Sequence, residues 1–221
     1  QMPLNQFFKK PNMKRKSLSA AKKTPNFYLT KLKDPQVKKL YKVFSNKLTS
    51  LDIGKKKIMV GVSGGADSLS ILFFSQCYAL KNKVKLYPVI IDHNLRKESS
   101  IEAKNLKFKL KKNFSINCKI LKKKNIKISK NIQSSARDLR YDLFHKECSK
   151  HNIGYLLLGH HQNDMIENFF IRLLRGSGLK GLVSFDKYVK DYNDIKIIRP
   201  FLSTPKKELI NINKKTFGFF V

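Results

Sequence analysis

The sequence predicts an α/β fold, a doubly wound parallel sheet with helices on both faces. Short apolar runs typical of buried strands alternate with longer segments whose apolar residues recur at helical spacing. A glycine-rich turn joins the first of these runs directly to a helix, and polar clusters follow three of the runs. Because the carboxyl ends of parallel strands share one edge of a sheet, the three clusters are expected to meet there.

The elements follow in order along the 221 residues. Residues 1–33 are rich in lysine, asparagine and proline, which predicts a flexible basic arm. Residues 34–221 are expected to form one catalytic domain, opened by a helix with Asp34 as N-cap and Pro35 as its first residue. Five strands are predicted, at 58–62, 84–91, 116–121, 155–159 and 195–198. Helices are predicted at 34–48, from the glycine turn to about 80, at 100–112, at 132–151, at 164–174 and from 205 onward.

The composition points to a polyanionic partner. The chain carries 47 Lys+Arg against 15 Asp+Glu, a formal charge of +32, which favours RNA over an acidic membrane surface because no strong basic amphipathic helix is evident. No apolar run approaches the roughly 20 residues of a membrane span. Three widely spaced cysteines without a CxxC motif indicate a reducing, cytoplasmic setting and argue against a zinc knuckle or a disulfide framework.

The most informative stretch follows the apolar run at 58–62. Its two glycines permit positive φ, so that consecutive N–H groups can converge on an anion beside the positive end of the next helix. The pattern is neither GxxxxGK[ST] nor GxGxxG. It resembles SGGxDS, the pyrophosphate loop of the N-type ATP pyrophosphatases, and an ordinary Gly-Gly turn between a strand and a helix is the alternative. ATP is therefore the expected ligand, with Mg²⁺ held by Asp67. The candidate nucleotide ligands in this loop are Ser63, Gly64, Gly65, Ala66, Asp67 and Ser68.

Two further clusters are candidates for binding the nucleotide. Asp92 and His93 end the second strand, where a base or ribose would dock, although a simple polar turn is the alternative. Arg137 and Arg140 lie on adjacent turns of a predicted helix and suit bidentate phosphate binding. A solvated basic helix is the alternative for the two arginines.

The segment after the fourth strand carries the acidic candidates. Asp164 and Glu167 are three residues apart at a helix start, so that their carboxylates share a face and can receive an amine or Mg²⁺. His160 is a candidate proton acceptor. The alternative is a plain N-terminal capping cluster, and no other metal-ligand spacing supports zinc.

Five segments together resemble the tRNA(Ile)-lysidine synthetase family over about residues 55 to 210. They are SGGADS, DHNLR, ARDLRYDLF, GHHQNDMIENFFIRLLRGSGLKGL and IRPF. The resemblance implies a Rossmann-like PP-loop domain of the adenine nucleotide alpha hydrolase kind. It also implies a ligase that activates the wobble cytidine of the CAU-anticodon isoleucine tRNA with ATP and then joins free L-lysine to it, with a homodimer as the assembly.

The resemblance also assigns roles residue by residue. It implies that residues 63–68 hold the pyrophosphate, with Asp67 assisting Mg²⁺, and that Asp164 and Glu167 receive lysine. Arg137 and Arg140 correspond to arginines near ATP and the adenylated intermediate, and residues 175–182 match the RGSGLxGL signature.

The chain departs from the family at two places. Asn163 stands where the family commonly has an aspartate, and the sequence stops before the family's downstream elements and C-terminal tRNA-binding part, as a truncated chain would.

Two rival functions stay open at this stage. A PP-loop tRNA thiolase would need catalytic or cluster-binding cysteines, and none of the three lies in a motif. A non-catalytic basic RNA-binding module would not need an intact SGGADS loop. Glutamine-fed amidation would leave the +32 charge unexplained.

Overall fold

The computed structural model describes residues 25–53, 56–92, 97–122, 132–174, 176 and 188–220. The helices are α1 (Pro25–Lys31), α2 (Pro35–Thr49), α3 (Ala66–Asn82), α4 (Lys97–Phe114), α5 (Ile132–His151), α6 (Gln162–Leu174) and α7 (Lys206–Lys215). The strands are β1 (Lys57–Val62), β2 (Lys85–Asp92), β3 (Lys119–Lys122), β4 (Tyr155–Leu157), β5 (Val189–Tyr192) and β6 (Ile195–Ile198). No helix among these residues is long and apolar enough to cross a membrane.

The six strands form one sheet in the order β3-β2-β1-β4-β6-β5. All neighbours pair in parallel except β5, which pairs antiparallel with β6 at the edge. The chain leaves β1 toward β2 and β3 and later returns on the other side of β1 with β4, so that β1 and β4 flank the topological switch point where α/β folds bind ligands.

Helices cover both faces of the sheet, which confirms the predicted fold class. Successive residues of β1 point to opposite sides: Ile58 and Val60 join the core beneath α1 to α4 and α7, whereas Met59 joins the core beneath α5. The larger core is rich in aromatic contacts, such as Phe44 against Phe74 at 5.9 Å between ring centroids.

The start of the domain differs from the predicted arm. Helix α1 lies within residues 25–33, and Tyr28 is buried and donates a hydrogen bond to the Phe114 carbonyl oxygen at 2.8 Å. Phe27, Tyr28 and Leu32 of this stretch therefore pack on the core, while Leu29 is exposed. Residues 1–24 lie outside the described part, so the division at residue 33 stays a prediction. The Asp34 cap is as predicted, since Oδ1 accepts the N–H groups of Gln36 and Val37.

Strand boundaries shift where the chain turns toward the site. The predicted strand at 155–159 stops at Leu157, because Gly159 leaves the sheet and meets the backbone of α3. Strand β5 was not predicted, since two of its four residues are exposed and charged, as suits an edge strand. A turn at Asn193, with φ of +53°, joins it to β6.

Candidate functional site

A cavity of about 370 Å³ opens at the carboxyl ends of β1, β2 and β4. Its floor is apolar and includes Ile90, Phe144 and Leu158. Its polar rim is formed by Ser63, Asp67, Ser68, Ser99, Glu102, Arg140, His160 and Asp164. An apolar floor with a few convergent polar groups is typical of a small-molecule site.

The hydroxyl of Ser68 holds the glycine-rich loop in shape. Its Oγ accepts the N–H groups of Ser63 and Gly64, both at 3.1 Å, and donates to the Gly65 carbonyl oxygen at 2.9 Å. Gly64 has φ of +91°, a conformation that favours glycine. In this conformation the Ser68 hydroxyl is used within the loop, and its predicted contact with phosphate stays a prediction.

The start of α3 leaves backbone donors for an anion. The first backbone hydrogen bond at this end runs from the Leu69 N–H to the Gly65 carbonyl oxygen at 3.0 Å. The N–H groups of Ala66, Asp67 and Ser68 therefore have no acceptor within the helix. Asp67 and Ser68 line the cavity, whereas Gly64, Gly65 and Ala66 do not, and free N–H groups at the positive end of a helix dipole are suited to bind an anion.

Gly159 brings the end of β4 against this loop. A Cβ atom there would lie 2.9 Å from both the Asp67 carbonyl carbon and the Ser68 nitrogen. Backbone atoms cannot yield as a flexible side chain can, so the close approach requires glycine. It sets the residues that follow β4 directly beside the loop that follows β1.

His161 joins the two segments. Its Nδ1 accepts the Asp164 N–H at 3.3 Å, and its own backbone N–H donates to Asp164 Oδ2 at 2.8 Å. This reciprocal pair is a capping box for α6 with histidine in the place of serine or threonine. The other ring nitrogen, Nε2, is 3.2 Å from Asp67 Oδ2, so that the ring lies between the carboxylates of Asp67 and Asp164.

Asp67 is held in an unusual environment. Burial raises the pKa of its carboxyl group, and the Asp164 carboxylate raises it further, against the opposing effects of His161 and Lys206. While Oδ2 faces His161, Oδ1 is buried without a hydrogen-bond partner among the described residues. A buried carboxylate oxygen without a partner beside an anion-binding loop suits a hard cation such as Mg²⁺.

The other predicted residues fall into three groups. His160, Arg140 and Asp164 line the cavity with the loop residues Ser63, Asp67 and Ser68. Glu167 is exposed on α6, one turn beyond Asp164, and does not line the cavity. His93, the Arg137 side chain and all of residues 175–182 except Gly176 lie outside the described part.

Asp92 is buried behind the cavity rim rather than within it. Its carboxylate accepts the hydroxyls of Ser99, at 3.0 Å, and Ser100, and lies 3.5 Å from Lys122 Nζ. It therefore fastens the first turn of α4 and the end of β3. This places Ser99 at the cavity, so that Asp92 contacts the site through α4.

Asn163 has a structural contact of its own. Its Oδ1 accepts the Lys206 N–H at 3.2 Å, which caps α7 because the N-cap residue Pro205 has no capping side chain. An amide oxygen serves this purpose as well as a carboxylate. The departure from the family pattern therefore preserves a hydrogen-bond acceptor at this position.

Sequence reasoning missed Ser99, Glu102 and the bridging role of His161. The first two lie in the opening turns of α4 after β2, where the edge rule that selected Asp92 would also have indicated them. His161 could have been found from the spacing of a capping residue and an acid three positions later.

The three cysteines are all buried away from the cavity lining. Burial raises the pKa of Cys77, Cys118 and Cys148 to about 12 each. Thiols in such surroundings are unreactive and poor ligands. The described residues also contain no group of three His, Cys, Asp or Glu side chains arranged to hold a metal.

Comparison with known proteins places these features in a family context. A family model described as a PP-loop domain matches residues 33–220. The tRNA(Ile)-lysidine synthase of Rickettsia prowazekii is 36% identical over 198 residues, and that of Rickettsia conorii is 38% identical over 180 residues. These alignments cover 81% and 77% of this chain but 42% and 36% of the relatives, so the chain spans about two fifths of their length.

Solved structures share the fold at low sequence identity. The U34-tRNA thiolase NcsA from Methanococcus maripaludis, solved with its 4Fe–4S cluster, has a TM-score of 0.70 at 18% identity over 84% of this chain and 65% of its own. Candida glabrata FMN adenylyltransferase in complex with ATP has a TM-score of 0.50 at 13% identity over 85% and 61% of the two chains. At these identities the similarity establishes the fold.

Proposed function

This chain belongs to the PP-loop family, and we propose that it carries the catalytic domain of a tRNA(Ile)-lysidine synthase. The proposed enzyme adenylates the ring-carbonyl oxygen of the wobble cytidine of a CAU-anticodon isoleucine tRNA with ATP, releasing pyrophosphate. The ε-amine of free L-lysine then attacks the carbon that bears this oxygen, and the oxygen leaves with AMP. One observation supports this most: the glycine loop and Asp164 meet at one cavity and are joined through His161. The relatives of 36% and 38% identity bear the same name.

The first half of the reaction uses the loop side of the cavity. The N–H groups at the start of α3 would bind the pyrophosphate of ATP, and Arg140 would stabilise charge on the α-phosphate. The Arg137 side chain is proposed for the same role from the family pattern. The apolar floor at Ile90 and Phe144 suits a purine base.

Mg²⁺ is proposed as the cofactor of this half. Asp67 would hold it through Oδ1, the buried oxygen that lacks a partner among the described residues. The ion would supply charge neutralisation on the phosphates. Because a bound cation favours the ionised carboxylate, it would also reverse the raised pKa of Asp67.

The second half uses the α6 side. Asp164 at the rim would bind a cationic amine of lysine, and Glu167 on the next turn would extend this acidic face. The attacking ε-amine must be neutral, so a proton acceptor is needed beside it. His160, which lines the cavity, is proposed for that role.

A tRNA thiolase is the main alternative, because the thiolase NcsA shares the fold. Two observations count against it. The cavity lining contains no cysteine, and all three cysteines of the chain are buried thiols with pKa values raised to about 12. Sulfur transfer or a cysteine-bound cluster would need accessible thiolates.

A non-catalytic RNA-binding module is the second alternative. Such a protein would have no need to preserve a loop with free helix N–H groups beside a partnerless carboxylate oxygen.

The proposal includes the cytoplasm as location, tRNA, lysine and ATP as substrates, and a homodimer as the family-based assembly.

The test is lysine transfer to tRNA. The chain is incubated with ATP, Mg²⁺, labelled lysine and an unmodified CAU-anticodon isoleucine tRNA transcript, and label in the tRNA is counted. We expect incorporation that is lost with Asp67→Ala and with a transcript carrying uridine in place of the wobble cytidine. Tight RNA binding without any ATP cleavage would contradict the enzyme proposal, and transfer of sulfur would favour the thiolase.

A further inference from the structure

Helix α4 has two large apolar residues on its solvent side. Its buried face consists of Ala103, Leu106, Leu110 and Phe114, which pack on the sheet. On the opposite side, Ile101 is 59% exposed and Phe108 is 64% exposed. Neither side chain is part of the apolar core, and a single exposed apolar side chain is common on protein surfaces, so the surroundings of the two residues have to indicate their use.

Lysines surround the exposed ring. Lys104, Lys111 and Lys112 are exposed at positions three or four residues from Phe108, so that they share its side of the helix. None of the ion pairs between described residues involves them. Lys112 Nζ lies 5.5 Å from the Phe108 ring centroid. A helix dipole favours lysine near the C-terminus but does not account for an aromatic residue among the lysines.

The same helix begins at the cavity. Ser99 and Glu102 line the cavity, and Phe108 follows Glu102 by six residues, or about 9 Å along a helix. This distance equals roughly three stacked nucleotides at about 3.4 Å each. A strand whose target nucleotide enters the cavity would therefore have a neighbouring base within reach of Phe108.

We propose that the outer face of α4, formed by Ile101, Lys104, Asn105, Phe108, Lys111 and Lys112, binds the RNA strand that flanks the target nucleotide. Phe108 stacks on an unpaired base, and the three lysines contact phosphates. Charge selects this occupant: around Phe108 the face carries three lysines, the exposed acids Glu98 and Glu102 of the same helix lie only in its first two turns, and the chain as a whole carries a charge of +32. The inference deepens the proposed function, since it requires an RNA substrate but not lysine transfer.

The test measures RNA affinity against salt. Fluorescence anisotropy of a labelled CAU-anticodon isoleucine tRNA transcript gives the Kd between about 50 and 200 mM salt. We expect the triple variant Lys104→Gln, Lys111→Gln, Lys112→Gln to lower the slope of log Kd against log salt by about two to three, which corresponds to three lost phosphate contacts. The matched control neutralises three exposed lysines of α2, Lys38, Lys39 and Lys42, and should change the slope far less.

The ring is tested separately. Phe108→Ala is expected to raise the Kd about five- to tenfold through lost stacking, and Phe108→Tyr to stay within about twofold. Because Phe108 is 64% exposed, its replacement should leave the thermal unfolding midpoint unchanged, which is measured on the same samples. Equal effects of the α4 and α2 triple variants, or no effect of Phe108→Ala, would refute a specific RNA face.

Three other results distinguish this inference from related ideas. If the α4 variants lose binding to vesicles of anionic phospholipid but keep their RNA affinity, the face is a membrane contact and the inference is wrong. If RNA binding depends on α4 as expected and yet no lysine is transferred by the wild type, the inference holds and the proposed function fails. If lysine is transferred to the tRNA and the α4 variants change neither this transfer nor the RNA affinity, the proposed function holds and the inference fails.

Discussion

Replacement of His161 tests the link between the two halves of the site. The ring caps α6 through Nδ1 and contacts Asp67 through Nε2, and it is buried. Removal of an N-cap acceptor costs about 0.5–2 kcal/mol. Loss of a hydrogen bond to a buried carboxylate costs about 1–3 kcal/mol. We therefore expect His161→Ala to lower the free energy of unfolding by about 2–4 kcal/mol.

His161→Ser separates the two contributions. A serine hydroxyl can still accept the Asp164 N–H, because serine is a preferred N-cap residue, but it is too short to reach Asp67. Serine and alanine leave similar space where the ring was, so the cost of that space cancels in their difference. The serine variant should thus be about 1 kcal/mol more stable than the alanine variant.

Urea unfolding of the ligand-free chain gives both values, and a double-mutant cycle with Asp67→Ala, which removes the carboxylate altogether, isolates the contact between His161 and Asp67. A coupling of at least about 0.5 kcal/mol is expected for groups in direct contact. If serine and alanine are equally stable, the capping role is wrong. If the cycle gives zero coupling, His161 does not join the two carboxylates.

Three other predictions rest on single contacts. Gly159→Ala should lower the free energy of unfolding by about 1–3 kcal/mol and weaken ATP binding, because a Cβ atom there would press on the α3 backbone. Gly154→Ala is the control in the same melts and titrations, since a Cβ atom at that position would meet nothing within 4 Å. Asn163→Ala should cost about 0.5–1.5 kcal/mol by freeing the Lys206 N–H, and Asn163→Asp should stay within about 0.5 kcal/mol in urea unfolding. The pKa of Asp67 is raised in the folded state, so its ionisation lowers the stability of the fold as the pH rises through that pKa. The Asp67→Asn variant should therefore have a higher thermal unfolding midpoint than the wild type at pH 7 without ligand. This difference between the two midpoints should close toward about pH 4. A difference that does not change with pH would contradict the raised pKa.

The parts that could be predicted from the sequence depend on local patterns. The strand 58–62 and the loop after it are contiguous, so apolar periodicity and two glycines were enough to indicate both. The Asp34-Pro35 start of α2 is equally local. Strand β5 has no such local pattern, because its exposed residues Lys190 and Asp191 form a strand only by pairing with β6.

The unpredicted parts of the site are set by tertiary contacts. The spacing of His161 and Asp164 indicates a cap for α6, but it does not indicate that the ring of His161 also contacts Asp67, because that contact depends on the close approach of Gly159 to the start of α3. For Asp92 the position was predicted correctly but the contacts were not. It lies at the predicted edge, but two serines and a lysine bind its carboxylate, so that position alone did not reveal its contacts.

The sheet order explains how two segments that are distant in sequence open onto one cavity. Strands β1 and β4 are far apart in sequence but adjacent in the sheet, so the loop after β1 and the helix after β4 open onto the same cavity. The proposed reaction adenylates one atom and then delivers an amine to the carbon that bears it, which requires the two binding groups to keep a fixed separation. A direct contact through the buried ring of His161 fixes that separation more firmly than two independent loops would. For this reason, we expect substitutions at His161 to impair both half-reactions, whereas substitutions at Glu167 should impair only the transfer of lysine.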